Sequence, residues 1–378
     1  MFELTEEHQA IVAMVAEFAA ENIAPHAVQW DQEHHFPVDV LAQAGELGMG
    51  GIYVREDFGG SGMTRLDAAL IFEELAKADP TISAYISIHN MVAWMVDRFG
   101  NDAQRAAWLP QLCTMETLAS YCLTEPGVGS DAAALSTRAV RDGDEYVLNG
   151  TKQFISGAGA SGLYVVMART ADTGSAGISA FLVPDGTPGL SFGALEKKMG
   201  WNAQPTRQVV FEDLRIPASN LLGEEGAGFS IAMKGLNGGR VNIGACSLGG
   251  GQAALDKSIS YLKERSAFGA PLIGQQALLF QIAEMQAELE SARTMVWRAA
   301  DALESGSKDK VRLCAMAKLV ATDAGFSAAN TALQLHGGYG YLAEYGIEKI
   351  VRDLRVHQIL EGSNEIMKLI IGRIAIDS

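Results

Sequence analysis

Residues 278–303 read LLFQIAEMQAELESARTMVWRAADAL, and their apolar side chains recur at alternating spacings of four and three. These side chains are Leu278, Ile282, Met285, Leu289, Ala292, Val296, Ala299 and Leu303. A 3.5-residue apolar repeat is typical of a long helix that packs along one seam in a bundle. We interpret the stripe as hydrophobic core, because a helix with one apolar face buries that face against its neighbours.

Helical patterns also fill the chain before about residue 118. Thr5 is expected to cap a first helix that carries Glu6 and Glu7 in its first turn. Pro37 is expected to begin another helix, which Gly48 ends. This part of the chain is therefore predicted to be helical.

Between about residues 119 and 225 the pattern changes to short β-rich runs separated by Gly, Pro, Asp and Ser. Asn149-Gly150 follows the apolar run Tyr146–Leu148 and predicts a tight hairpin turn. The sequence thus predicts an α+β fold in three parts. These are an N-terminal helical domain (1–118), a middle antiparallel β domain (119–225) and a C-terminal helical bundle (226–378).

The composition excludes several classes of protein. The 378 residues are 48% hydrophobic and 20% charged, with a net charge of −16, which opposes binding to nucleic acid or to an anionic membrane. No apolar run reaches the roughly 18–20 residues of a membrane span, and the first residues resemble neither a signal nor a transit peptide. We expect a soluble, cytoplasmic protein, with a processed mitochondrial matrix form as the alternative.

The cysteines and histidines show no metal-binding pattern. Four cysteines occur without a CxxC pair, and the seven histidines form no HExxH motif. We therefore expect buried thiols in a reducing compartment and no bound metal.

Two glycine-rich stretches can each be interpreted either as a turn or as part of a ligand-binding site. GAGASG at 157–162 satisfies the dinucleotide-binding pattern GxGxxG, but a predicted strand follows where that site needs a helix N-terminus. We therefore interpret it as a tight turn. TEPGVGSD at 124–131 lacks the lysine of a P-loop, and it is either an ordinary turn or a loop whose N–H and hydroxyl groups bind a ligand.

Two further stretches near the C-terminus interrupt helical patterns. QLHGGYGY at 334–341 places three glycines together, which indicates a tight break or a bound ligand. Glu361 follows an apolar pair and precedes a helix start near Ser363, so its carboxylate is either a general base or an ordinary residue before a helix.

Taken in order, these stretches resemble the acyl-CoA dehydrogenase family over essentially the whole chain. The matching segments are YCLTEPG at 121–127, FISG at 154–157, RSAFG at 265–269, QLHGG at 334–338 and EG at 361–362. Four more segments resemble the members that act on short branched-chain acyl-CoA. They are AYISIHNM at 84–91, GWNAQPTR at 200–207, GLNGGR at 235–240 and VHQILEGSNE at 356–365.

The resemblance implies that the C-terminal part is a four-helix bundle and that the protein is a homotetramer. It also implies that FAD binds between the β domain and this bundle and that electrons pass to electron-transferring flavoprotein. It implies that one group of residues lines the flavin, that a second holds the pyrophosphate and adenine across a subunit interface, and that a third closes over the cofactor. The first group is Tyr121, Cys122, Leu123, Thr124, Gly129, Ser130, Phe154, Ile155 and Ser156. The second is Arg265, Phe268, Gln275, Gln276, Gln334, Leu335, His336, Gly337 and Gly338, and the third is Ser363, Asn364 and Glu365.

The resemblance also implies that Glu361 is the catalytic base, which removes the α proton of the acyl thioester while hydride leaves the β carbon. Some family members carry the base at the position of Gly239, where this chain has no carboxylate. Phe154 stands where many relatives have Trp, and its ring still offers an aromatic face to a flavin. The implied substrate contacts are Ser130, Asn237, Gly238, Gly239, Arg240 and Arg373.

Three rival functions stay open at this point. The first is dehydrogenation of a different short acyl-CoA, such as 2-methylbutyryl- or butyryl-CoA. The second is an oxidase that uses oxygen directly. The third is a catalytically silent homologue that acts in binding or assembly, against which the presence of Glu361 argues.

Overall fold

A computed structural model describes residues 3–377 of the chain. Its first part is helical, as predicted, and Thr5 Oγ1 accepts from the backbone N–H of His8 at 3.2 Å. Gly48 has a φ of +83° just after the third helix, which confirms the predicted end. The helices are α1 (Glu6–Asn22), α2 (Ala27–Glu33), α3 (Val38–Glu46), α4 (Arg65–Ala78), α5 (Pro80–Phe99) and α6 (Asp102–Cys113).

The middle part forms one twisted sheet in the spatial order β6-β7-β3-β2-β4-β5-β8, with β1 paired to β4. Most pairings are antiparallel, as predicted, but β1 and β2 each pair with β4 in parallel, so the sheet is mixed. The strands are β1 (Ala119–Cys122), β2 (Arg138–Asp142), β3 (Glu145–Ser156), β4 (Leu163–Arg169), β5 (Ile178–Pro184), β6 (Leu190–Phe192), β7 (Thr206–Pro217) and β8 (Leu221–Leu222).

The hairpin turn predicted at Asn149-Gly150 is wrong. Strand β3 runs straight through these residues, and its pairing with β7 shifts register between Leu148 and Gly150. Gly150 has a φ of +149°, and a Cβ there would lie 2.7 Å from Thr137 Cα. The dipeptide therefore makes a β-bulge, and the actual turn lies between β2 and β3 at Gly143, whose φ is +61°.

The stretch Gly157–Gly162 joins β3 to β4 as the tight turn that was predicted. Gly157 and Gly159 both have positive φ values, of +78° and +84°. No helix begins here, so the feature that a dinucleotide pyrophosphate requires is absent from this turn.

The last part is a helical bundle in which α7 (Gly228–Glu264), α8 (Gln276–Glu304) and α9 (Lys310–Leu335) pack together. Two shorter helices, α10 (Ile347–Arg355) and α11 (Asn364–Asp377), pack on α9. The apolar stripe of α8 forms core as predicted: Met285, Leu289, Ala292, Val296 and Ala299 are buried, while its outer members are partly buried against the same core. A short two-stranded ribbon, β9 (Ser266–Ala267) with β10 (Ala270–Pro271), precedes α8.

The helical parts at the two ends of the chain share one continuous hydrophobic core. A second apolar cluster joins α5 and α6 to one face of the sheet and the start of α7. Within the described residues no single helix is long and apolar enough to cross a membrane, although the bent pair α1 and α2 passes on length and composition alone. The domain boundaries at 118/119 and 225/226 stay predictions.

A buried ionic cluster connects all three parts. Lys349 Nζ on α10 lies 2.8 Å from Asp79 Oδ1, at the start of α5, and 2.7 Å from Asp353 Oδ2. Asp353 Oδ1 accepts from the backbone N–H of Trp201 at 2.6 Å, in the loop before β7. Thr81 Oγ1 donates to Asp353 as well. One lysine thus neutralises two carboxylates where the N-terminal helices, the β domain and the bundle meet.

We expect Lys349→Met to destabilise the protein by about 3–5 kcal/mol at pH 7, because it leaves two buried carboxylates without a cation. Burial and the neighbouring Asp353 already raise the pKa of Asp79, and losing the lysine raises it further. When the pKa of a carboxyl is higher in the folded state than in the unfolded state, the free energy of unfolding rises as pH falls. The stability that Lys349→Met loses at pH 7 should therefore be partly regained toward pH 5. Urea unfolding at pH 7 and pH 5 measures both effects. The exposed pair Arg138–Asp172 supplies the control, since Arg138→Met should leave the unfolding midpoint nearly unchanged.

Candidate active site

Glu361 lies in a left-handed turn between the end of α10 and the start of α11. Its φ is +57° and that of Gly362 is +88°. A non-glycine residue costs about 1 kcal/mol in this conformation, so surrounding contacts must hold it there. One of those contacts is the Nε of Arg240, which donates to the Glu361 carbonyl at 3.2 Å.

The carboxylate of Glu361 rests on the bare backbone of Gly239 in α7. A Cβ at position 239 would lie 2.4 Å from Glu361 Oε2, which is closer than atoms can pack. The glycine therefore creates the space that the carboxylate fills. A side chain at position 239 and the observed position of Glu361 exclude each other.

The surroundings of Glu361 raise the pKa of its carboxyl toward neutral pH. Its Oε2 atom is buried and has no hydrogen-bond partner within residues 3–377. Burial raises the pKa of Glu361 to about 7, although the positive charges of Arg240 and Lys318 act in the opposite direction. A carboxyl with this pKa exists in both protonation states near neutral pH, which suits proton transfer.

The predicted substrate-contact residues fall into three places. Asn237 and Arg240 are buried beside Glu361, and Arg240 Nη1 donates to Asn237 Oδ1 at 2.9 Å. Gly238 and Gly239 lie buried between them, and a Cβ at position 238 would lie 2.9 Å from Arg65 Nη1. Ser130 is exposed on the loop after β1, and Arg373 is exposed on α11. Arg240 thus supports the Glu361 turn directly, while the structure joins neither Ser130 nor Arg373 to this cluster by a described contact.

A buried ion pair holds the loop that carries Thr124, Gly129 and Ser130. Glu125 accepts from Lys152 Nζ at 2.8 Å and from the backbone N–H groups of Ser136 and Thr137 at 2.7 and 2.9 Å. Burial alone would raise the pKa of Glu125, but Lys152 and these donors lower it to about 2. The anchored loop leaves the small residues Gly127 and Gly129 facing open space. Its shape is that of a loop prepared to receive a ligand.

Phe154 presents its ring beside this loop. It has a φ of +60° and is 64% exposed, while the adjacent Gln153 N–H donates to the Thr124 carbonyl at 2.8 Å. Ile155 is buried in the sheet, and Ser156 is partly exposed. The Tyr121 hydroxyl is buried without a partner among the described residues, and burial followed by the charge of Glu361 raises its pKa. Tyr121, one of the residues predicted to line the flavin, therefore lies near Glu361.

Two of the predicted flavin contacts turn their side chains away from this surface. Cys122 is fully buried in the interior of the β domain, and burial raises the pKa of its thiol to about 12. Leu123 packs in the apolar cluster shared with α5 and α7. Only the backbone of these residues is available to a ligand.

Six of the nine predicted pyrophosphate and adenine contacts line a separate pocket of about 560 Å³ at the far end of α9, whereas Phe268, Gln275 and Gln276 do not. Arg265 lies 5.5 Å from the ring centre of Tyr339, and His336 stacks on Tyr261 at 4.4 Å. Phe268 is 96% exposed, and Gln275 and Gln276 are exposed at the start of α8. The lining includes Arg265, Gln334, Leu335, His336, Gly337 and Gly338, but no residue of the β domain and not Glu361.

The three residues predicted to close over the cofactor begin α11. Ser363 is partly exposed and Glu365 is exposed. Asn364 is buried, and its side chain forms hydrogen bonds with residues of α9. Asn364 Oδ1 accepts from Lys318 Nζ at 2.7 Å, and its Nδ2 donates to Asp323 at 2.7 Å. Asn364 therefore fastens the Glu361 turn to the bundle.

Sequence reasoning missed a group of side chains that surrounds Glu361 from the N-terminal part. The guanidinium of Arg65 lies 3.7 Å over the ring of Tyr53 and 5.1 Å from that of Trp94. Asn242 Nδ2 donates to the Tyr53 hydroxyl at 3.2 Å. Burial raises the pKa of Tyr53; the charge of Arg65 opposes this rise, and the charge of Glu361 adds to it. No motif marks these residues. Arg65 begins α4, which carries four further charged residues, so its charge does not distinguish it in the sequence.

The same division into three parts appears in comparison with known families. Sequence models of the N-terminal, middle and C-terminal domains of acyl-CoA dehydrogenase match residues 5–116, 120–214 and 226–376. The chain belongs to the acyl-CoA dehydrogenase family, which consists of FAD-dependent oxidoreductases that act on CH–CH groups of acyl-CoA.

Among individual proteins, the chain is 55% identical to a mitochondrial isobutyryl-CoA dehydrogenase of Bos taurus, over 98% of this chain and 89% of that one. It is 54% identical to the Dictyostelium discoideum enzyme of that name, with the same coverage. A solved structure of the electron transferring flavoprotein of Acidaminococcus fermentans contains a chain with a TM-score of 0.98 and 38% identity, covering 100% of both chains. A Mycobacterium smegmatis glutaryl-CoA dehydrogenase in complex with FADH2 has a TM-score of 0.94 and 28% identity, covering 99% of this chain and 96% of that one.

We expect Gly239→Ala to lower acyl-CoA dehydrogenase turnover by about 10²-fold, because the added methyl group forces the Glu361 carboxylate out of its position. Turnover should be measured together with the unfolding midpoint. Gly244→Ala is the matched control on the same helix, where the nearest atoms to the new methyl group are Val296 Cγ2 at 3.2 Å, Ala321 Cβ at 3.5 Å and the Ala317 carbonyl oxygen at 3.7 Å. Wild-type turnover in Gly239→Ala would show that Glu361 does not need this space.

Proposed function

We propose that the protein oxidises a short branched-chain acyl-CoA at its α and β carbons, with isobutyryl-CoA converted to methacrylyl-CoA as the principal reaction. The observation that carries this proposal is the Glu361 carboxylate, which is held against the bare backbone of Gly239 with one oxygen unpaired. The names of the Bos taurus and Dictyostelium discoideum relatives support the acyl group. This reaction would belong to valine breakdown.

In this reaction Glu361 takes the α proton of the thioester. The α C–H group is a weak acid, so the negative charge that develops on the thioester carbonyl also needs hydrogen-bond donors. The backbone N–H of Glu361 donates to no group within residues 3–377 and is available for that carbonyl. Arg240 and Asn237 hold the turn from α7, and the buried site limits access of water to the proton that moves.

The residues present fit an FAD. Phe154 offers an exposed aromatic face next to Gln153, whose N–H donates to the Thr124 carbonyl, and the anchored glycine loop leaves open space at Gly127 and Gly129. At the other site, Gly337 has a φ of +59°, and a Cβ there or at Gly338 would meet nothing within 4 Å, so backbone groups can approach a pyrophosphate. Arg265 supplies a guanidinium for phosphate oxygens. When bound, FAD accepts the β hydrogen as hydride.

We propose that these two groups of residues come together across an interface between protomers of a homotetramer. Within one chain the pocket around His336 and the surface around Phe154 share no lining residue. Exposed Phe268, Gln275 and Gln276 would then close over the FAD of a neighbouring protomer. This arrangement explains why such residues lie on the outside of a single chain.

We propose electron-transferring flavoprotein as the electron acceptor. The solved structure of the electron transferring flavoprotein of Acidaminococcus fermentans supports this choice, because it contains a chain with the same fold as this protein. A cytoplasmic location also stays a prediction, since the Bos taurus and Dictyostelium discoideum relatives are mitochondrial by name.

The first test is Glu361→Gln, which should bind FAD and acyl-CoA and still lose at least about 10²–10⁴-fold in the rate of flavin reduction. In the wild type that rate should rise with pH through about 7, because only the deprotonated carboxylate can accept a proton. Anaerobic stopped-flow absorbance from pH 6 to 8.5 measures both. Normal reduction of the Gln variant would contradict the assignment of the base.

The second test identifies the acyl group. The flavin of the purified yellow protein should bleach rapidly on anaerobic addition of isobutyryl-CoA and more slowly with butyryl- or 2-methylbutyryl-CoA. Faster bleaching by either of the last two would keep the chemistry and replace the substrate. Rapid oxygen consumption during turnover would indicate an oxidase, and a protein that cannot be reconstituted with FAD would indicate a silent homologue.

A further inference from the structure

Lys318 on α9 is completely buried, at 0% exposure, directly behind the Glu361 turn. Its Nζ donates to the carbonyl of Gly362 at 2.9 Å and to Asn364 Oδ1 at 2.7 Å. These two acceptors belong to the residues one and three positions after Glu361. The lysine therefore binds the turn from α9, while Arg240 binds it from α7.

The charge of Lys318 lacks the partner that a buried cation normally has. Within residues 3–377 no carboxylate oxygen lies within 4 Å of its Nζ, whereas the buried Lys152 and Lys349 each contact one or two. Burial lowers the pKa of Lys318 to about 8, and Glu361 is the group that most strongly opposes this effect. An apolar side chain would fill this position at a lower desolvation cost. The ammonium group therefore serves something other than packing.

We propose that Lys318 is a positioning residue for the reaction, which fixes the turn that aims Glu361 at Gly239 and whose positive charge keeps the Glu361 carboxylate ionised. This inference rests on the proposed function, in which Glu361 is the base. It adds a residue that touches neither the reacting atoms nor any predicted ligand contact except Asn364.

The charged neighbours of Glu361 show why removal of this one residue should be detectable. Arg240 on α7 and Lys318 on α9 are the two cations that act on it, while Tyr121 on β1 and Tyr53 before α4 face it as neutral hydroxyls. Loss of Lys318 removes one of two favourable charges from a site of low dielectric constant. The further ionisable groups around these residues are Arg65, Cys314, Asp323, His357 and Glu365.

The test compares Lys318→Met, which removes both the charge and the donors, with Lys318→Gln, which removes the charge and keeps an N–H donor for the Gly362 carbonyl. We expect the pH at which flavin reduction reaches half its maximum to rise by about one unit in both variants. At pH 7 the rate should fall about 5-fold, because the deprotonated fraction of Glu361 drops from about one half to about one eleventh, and at high pH the Gln variant should recover more of the rate than the Met variant. A purely structural lysine would not move the pH profile.

Thr322→Val is the matched control. It removes a hydroxyl one turn along α9 that contacts Asn364, and it leaves the ammonium in place. Its pH profile should coincide with that of the wild type. FAD content and unfolding midpoint should be measured for every variant.

An unshifted profile in both folded Lys318 variants would overturn the inference. Failure of both to fold would overturn it too, because the lysine would then be required by the fold itself. The Glu361→Gln variant distinguishes failure of the proposed function from failure of the role proposed for Lys318. Normal turnover in that variant refutes the proposed function, whereas loss of turnover there with unshifted Lys318 profiles refutes this inference alone.

Discussion

The close contact between the Glu361 carboxylate and the bare Cα of Gly239 is the constraint around which the site is built. A carboxylate can occupy that place because α7 carries no side chain there and because the following turn adopts a left-handed backbone. The turn persists because a cation on each of two helices binds it, Arg240 from α7 and Lys318 from α9. Long helices thus fix the position of a group that lies in a loop, which is what precise proton transfer requires.

The two predicted halves of the cofactor site depend on different parts of the fold. The flavin-facing surface is held by a buried ion pair inside the sheet, between Glu125 and Lys152. The pocket around His336 instead lies where α9 ends, and its lining includes Tyr261, whose ring stacks on that of His336. In the proposed assembly, neither half is completed by the chain that carries it. The interface between protomers would therefore be part of the site and not only of the assembly.

The sequence predicted features that depend on local pattern. The apolar stripe of α8, the cap at Thr5 and the turn at Gly157–Gly162 were predictable because their spacing or flanking residues determine the local structure. The hairpin turn predicted at Asn149-Gly150 does not form, because the pairing of β3 with β7 and the close approach of Thr137 outweigh the turn preference of the dipeptide. Lys318, Arg65 and Tyr53 could not be found from sequence, since only folding brings them to Glu361.

The buried Asp79–Lys349 pair has a consequence for how the protein is made. The two residues are 270 positions apart in the chain, and Asp79 is completely buried once they meet. At synthesis rates of roughly 5–20 residues per second, the lysine leaves the ribosome roughly 15–55 s after the aspartate. During that time the N-terminal helices hold a carboxylate that cannot yet be neutralised. The ion pair that neutralises Asp79 can therefore form only after nearly the whole chain has been synthesised.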